Sequence, residues 1–209
     1  LYETYAKQIW VADTKFKGQA HYSAMFNELK LNLAKDAKGS PSEDAFKTLF
    51  HESGHNIDHL SNSIFSRKPF SLLYKDGLFP KTLREEARAA AQNRLVEIRK
   101  TLPNVPIMNA YVDITKDIRN LKAKDNVYVS DIFSGATRNK VKATGYHPTT
   151  YWQRGGDSAL ATEAFAQMYS ASILNKNATN IIKKYFPKSY EIYRDMIEEM
   201  IKRGKNRNV

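Results

Sequence analysis

"TLFHESGHNIDHL", residues 48–60, holds three of the chain's five histidines together with an acid, a glycine and an apolar stripe. His51 and His55 stand at i and i+4, so on a helix both imidazoles project from one face, at a separation that one tetrahedral zinc can bridge. Glu52 lies about 100° around the helix from His51. It falls outside the same metal triangle but can reach a water at that metal. This is the H-E-x-x-H arrangement, in which two histidines bind zinc and the glutamate is the general base. Phe46, Leu49, Phe50, Ile57 and Leu60 form an apolar stripe beside the histidines, and Gly54 permits close approach of another backbone. The expected element is a core-packed helix whose histidines face a cleft; the alternative is a surface helix with solvated histidines.

The sequence around this stretch bounds the helix. Ser40 reads as its N-cap, Pro41 as its first residue, and Glu43 completes a capping box, which predicts a helix from about Pro41 to about Ser61. Upstream, "QAHYSAMFNELKLNLAKD" alternates around "ELKLNL" as a short strand or hairpin, with a sheet edge as the expected product. Downstream, "PKTLREEARAAAQNRLVEIRKTL" is rich in strong helix formers and ends near "PNVP". "ITKDIRNLKAKDNVYVSDIFSG" is compatible with a helix, a turn and another short helix. From "ATRNKVKATGYHPTTYWQRGGDS" the composition shifts to Gly, Thr, Pro and aromatics, predicting an irregular loop that exposes polar side chains. "SALATEAFAQMYSASIL" resumes helical periodicity with a cap near Asp157 or Ser158. "ATNIIKKYF" and "PKSYEIYRDMIEEMIKR" close the chain as two helices, the second opened by Pro187, and the tail "GKNRNV" is expected to fray.

A length of 209 residues suits one domain with a substantial core. There is no cysteine, so disulfides and thiolate metal sites are excluded and any metal must sit on His, Asp, Glu or water. No stretch approaches the roughly 20 apolar residues of a membrane span. The opening "LYETYAKQIW" carries no initiator Met and no apolar leader, which predicts a soluble piece of a longer polypeptide. Compartment is not legible: virion-associated, cytoplasmic and secreted settings all fit. The 33 Lys and Arg exceed the 22 Asp and Glu, giving +11. These charges are spread along the chain without an arginine-rich block or a nucleic-acid-binding signature, so the expectation is no specific nucleic-acid partner.

A catalytic zinc needs a third protein ligand and an open position. Asp58 shares the face of His51 and His55 but stands a turn beyond them, which suits a carboxylate holding an imidazole N–H. His59 with His55 would leave Glu52 on the wrong turn. Glu163, in the apolar run "ALATEAFAQMYSA", is a carboxylate whose burial a metal would compensate, although a solvated surface glutamate has the same spacing.

"FHESGHNIDH" followed by "TEAFAQMYSA" resembles the gluzincin zinc metallopeptidases, particularly the lethal-factor-like branch, in which H-E-x-G-H-x-x-D is paired with an E-x-F-A helix. His51, Glu52, Gly54, His55 and Asp58 match the first motif; Glu163, Phe165 and Ala166 match the second. The last 80 residues or so, through "VSDIFSG", "GYHPTTYW" and "IIKKYFPKSYEIY", also resemble the C-terminal part of phage minor head proteins and related mobile-element proteins. Two features depart from the pattern. The stretch between His55 and Glu163 is longer, so about 62–145 looks like inserted helices near the cleft, and Gln167 stands where such helices often carry a second acid.

The resemblance implies a single zincin-like α+β domain, mainly helical, with an H-E-x-x-H helix and one small sheet. It implies one zinc ion on His51, His55 and Glu163, with Asp58 behind them. The implied activity is peptide-bond hydrolysis by zinc-activated water, with Glu52 as the base. Such enzymes place a donor beside the metal for the oxyanion, and "GYHPTTYW" offers His147 and Tyr151, with Tyr146 a weaker third. The strand near "ELKLNL" is expected to bind an extended protein or peptide substrate at its edge. The rival expectation is a phage head or interaction module with a non-catalytic zinc site.

Overall fold

The computed structural model describes residues 5, 10–13, 20–23, 25–31, 43–62 and 68–207. Among these, three short strands and nine helices form a mainly helical α+β chain. The strands are β1 (Trp10–Asp13), β2 (His21–Ser23) and β3 (Glu28–Lys30). They are ordered β1-β3-β2, with β1 parallel and β2 antiparallel to β3. The "ELKLNL" strand is therefore the centre of the sheet and not an edge. Both its hydrogen-bonding sides are taken, and the strand edge facing the helices belongs to β2.

The helix read from residues 48–60 is α1 (Glu43–Leu60). Ser40 and Pro41, the cap and first turn expected from sequence, lie outside the described residues. The predicted stripe holds for Ile57, fully buried, and for Phe50 and Leu60, half-buried against the core; Phe46 is exposed. Four-residue α2 (Phe70–Leu73) leads into α3 (Leu78–Arg99). Lys75, Asp76 and Gly77 are all left-handed, turning the chain before Pro80 enters the first turn of α3.

The ambiguous stretch resolves into α4 (Ile107–Arg119), a single turn α5 (Ala123–Asn126) and α6 (Ser130–Thr137). Helix α7 (Thr149–Leu174) then spans the molecule, followed by α8 (Lys176–Tyr185) and α9 (Pro187–Arg207). Asn175 caps α8, its side-chain oxygen accepting the Ala178 N–H at 2.9 Å. The first turn of α9 is capped from outside. Glu86 on α3 accepts the N–H groups of Lys188 and Ser189 at 2.7 and 3.0 Å, placing a carboxylate where the helix dipole is positive.

Two expectations fail here. The presumed loop 136–158 is irregular only to Pro148: helix begins at Thr149 and is interrupted at Gly156 (φ 55, ψ −130). Asp157 consequently caps nothing and pairs with Arg84. The tail is helical through Arg207 and not frayed over that span.

The core is one cluster. Phe79, Leu83 and Ala87 of α3, Ile114 and Ile118 of α4, Ile132 and Phe133 of α6, Leu160, Phe165 and Met168 of α7, and Met196 and Met200 of α9 meet in it. Helix α1 docks on one side of this mass, against α7. A Cβ at Gly54 would stand 2.9 Å from the Ala166 Cα, so glycine is what lets the two backbones touch. That contact presses the histidine face of α1 against the Glu163 turn of α7. Among the described residues no helix is long and apolar enough to cross a membrane.

Candidate metal centre and its cleft

His51 and His55 project from α1 with their Nε2 atoms 3.1 Å apart. Glu163 enters from α7, its Oε2 standing 3.3 Å from His51 Nε2 and 3.5 Å from His55 Nε2. Ligand atoms about 2.0–2.2 Å from a tetrahedral zinc are roughly 3.3–3.6 Å apart, so three donors from two helices stand close to the spacing one such ion demands. Glu163 is 5% exposed, and its Oε2 has no hydrogen-bond donor. A buried carboxylate oxygen without a donor is costly; a cation among these three groups removes that cost. The donor set of two imidazoles and one carboxylate fits zinc.

The electrostatics of the metal-free site agree. Burial works against a charged His55, yet the Glu163 carboxylate outweighs it and pushes the imidazole up to about 9. Burial likewise opposes a charged Glu163, and the surrounding histidines hold it well below the ordinary carboxylate range. Without a metal, this cluster keeps a proton in the place of a cation.

Glu52 is next to His51 and turns toward the sheet. Its Oε2 accepts the Tyr22 backbone N–H at 2.8 Å, on the outer side of β2. The residue lines an open cleft of about 840 Å³ with His51, His55 and Glu163, and among the described residues no strand N–H reaches its other oxygen.

The far wall comes from the loop before α7 and its first turns. Tyr151 donates its hydroxyl to Glu163 Oε1 at 2.5 Å, and His147 Nε2 lies 3.4 Å from the same oxygen. The two rings stack at 4.0 Å. Burial and the charge of Glu163 hold the Tyr151 hydroxyl far above its usual range, so it stays a donor. Trp152 is buried beneath them, and Gly135 leaves room for its indole, which a Cβ would meet at 2.9 Å. Left-handed Asn139 ties down the loop, donating to the His147 carbonyl at 3.1 Å and the Thr149 hydroxyl at 3.0 Å. Tyr146 is exposed, with Lys142 over its ring, and does not face the site.

All the residues expected to act together are brought together, with two corrections. Asp58 does not hold an imidazole N–H: its oxygens accept the Ser71 N–H at 2.7 Å and the Ser71 hydroxyl at 2.6 Å. Among the described residues His55 Nδ1 has no hydrogen-bond partner. Asp58 ties α1 to the start of α2 and reaches His55 through charge alone. The inserted stretch is also less intimate than expected, since α3 and α4 build core and, among its described residues, only the 127–145 segment borders the cleft. His59 lines the cleft without joining the three donors and packs against Tyr22, with burial pushing its imidazole down to about 4.

Sequence reasoning missed Asp131. It is buried on α6, its Oδ2 accepting from Gln167 Nε2 at 3.0 Å and its Oδ1 from the His147 N–H at 3.3 Å. Its signal was an acid set among Val129, Ile132 and Phe133, where a solvated side chain is not expected. Gln167, noted only as a missing acid, supplies the donor that a second acid would have withheld. Compared with known protein families, curated proteins and solved structures, the chain shows no match.

Proposed function

We propose that the chain is a zinc-dependent metallopeptidase of the gluzincin type. The observation that carries this reading is the convergence of His51, His55 and Glu163 at metal-ligand spacing, with Glu52 beside them on an open cleft. A structural site would have no use for a carboxylate next to its first ligand, and it normally fills all four positions.

His51, His55 and Glu163 would hold the ion. Bound zinc supplies Lewis-acid chemistry, acidifying water and polarising a carbonyl. Glu52 accepts the proton of the attacking water on the oxygen that Tyr22 does not occupy. As the water oxygen bonds to the carbonyl carbon and the C–N bond breaks, the same proton passes to the leaving amine. Tyr151 and His147 donate to the oxygen that gains negative charge, Tyr151 because burial and the Glu163 charge favour its protonated form. An extended peptide would lie in the cleft beside β2, whose outward Tyr22 N–H is already held by Glu52.

Metal analysis and digestion of a peptide library test this. Wild-type protein should carry zinc and cleave. Glu52→Gln should keep zinc and the fold and lose cleavage, and Glu163→Ala should lose most of the metal. Zinc binding without cleavage in the wild type would favour a structural site instead. Failure to take up zinc on reconstitution would sink both readings.

A further inference from the structure

Glu163 presents its two oxygens to two different sets of donors. Oε2 faces His51 and His55, whereas Oε1 faces His147, at 3.4 Å from its Nε2. The second set includes Asp131: one ligand atom from each of Asp131, His147 and Glu163 lies within 4.8 Å of the others. These donors come from α6, from the loop before α7 and from α7 itself, so no local turn forces them together.

We propose that Asp131, His147 and Glu163 form a second divalent-cation site, with Glu163 bridging it to the His51–His55 site. A carboxylate that gives one oxygen to each of two ions sets them about 3.5–4 Å apart, the separation of two-metal centres in general. Asp131 and Glu163 are both buried, at 6% and 5% exposure. Two carboxylates enclosed at such range repel unless a cation or a proton lies between them. One ion on the first site meets only Oε2 of Glu163, leaving Asp131 uncompensated.

Asp131 is also oriented as ligands are. Gln167 donates to its Oδ2 and the His147 N–H to its Oδ1, neutral donors that fix a carboxylate without neutralising it and leave each oxygen a further lone pair. The Tyr151 hydroxyl now bonded to Glu163 Oε1 would give way to the second ion. If the peptidase reading holds, on which this one consequence rests, hydrolysis falls as the second ion loads, because His147 cannot both ligate and donate.

The test is a calorimetric titration of the metal-free 209-residue chain with Zn2+, checked by metal analysis, together with electron paramagnetic resonance after loading about two equivalents of Co2+. Wild type should bind a first ion and then a second, Asp131→Asn the first alone, and Glu163→Ala neither. Two Co2+ ions sharing Glu163 should be magnetically coupled. Saturation of the wild type at a single ion, a second event that survives Asp131→Asn, or two uncoupled Co2+ ions would overturn the proposal and leave the first site standing. Loss of the first event would instead count against the peptidase reading. The coupling measurement uses the wild type, so it decides the matter even if Asp131→Asn fails to fold.

Discussion

Single side chains at this site act through what they hold as much as through what they touch. Tyr151 is stacked on His147 and bonded to Glu163, so Tyr151→Phe removes one donor and leaves the packing. Turnover should fall by roughly 10²-fold, the cost of one oxyanion donor, with zinc content unchanged; an unaltered kcat would place that donor elsewhere. Asp58 gives a separate reading through stability. Its burial outweighs the Ser71 donors and pushes the carboxyl up to about 7, from the 3.8 of a free side chain. Folding therefore favours its protonated form, so Asp58 on its own withdraws stability as pH rises from about 4 to about 7, while His59, pushed down to about 4, restores stability over most of the same range. Asp58→Asn should leave the His59 contribution unopposed, so that the denaturation midpoint, measured with chelator present, rises more with pH across that window than in the wild type. An identical profile in the variant would show that Asp58 does not titrate there.

At the scale of elements, the kink in α7 does the assembling. Tyr151 and Glu163 are twelve residues apart, about 18 Å along a straight helix, yet their side chains are in hydrogen-bond contact. Gly156 makes that possible. Its φ of 55 and ψ of −130 lie in a region open to glycine and strained for residues with a Cβ, so the first turns of α7 can fold back over the Glu163 turn. Gly156→Ala should cost about 1–3 kcal/mol in stability. On the proposed reading it should also lower turnover as Tyr151 and His147 leave the site, with the His51–His55–Glu163 triad intact because Glu163 follows the kink and the two histidines stand on α1. Chemical denaturation and metal analysis on one preparation separate the two effects.

At the scale of the molecule, the site lies beside the core and not within it. The large buried side chains of α3, α4, α6 and α9 pack without any metal-facing group among them, and Glu86 and Tyr5 tie α9 to the rest independently. Removal of metal should thus leave far-UV circular dichroism unchanged while lowering the melting temperature. The loss corresponds to about 2.7 kcal/mol when free metal stands at 100 times its Kd. Collapse of the helical signal on chelation would mean that the ion holds the whole fold.

His51, Glu52 and His55 were legible in sequence because a helix turns a spacing of four into proximity, and their apolar neighbours and Gly54 showed which face is packed. Glu163 was legible as an acid in an apolar run, though only together with the family resemblance. What only the tertiary structure decided depends on contacts between segments. Strand order made β2 the edge and gave the Tyr22 N–H to Glu52, and a backbone donor leaves no trace in the choice of side chain. Asp58 went to Ser71 because α2 docks there. Gly155 and Gly156 looked like loop punctuation, yet a single positive φ inside a helix satisfies the same composition. Asp131 joined His147 and Glu163 through the packing of α6 on α7. Helical periodicity specifies which residues share a face, whereas which faces meet depends on the core of the whole molecule.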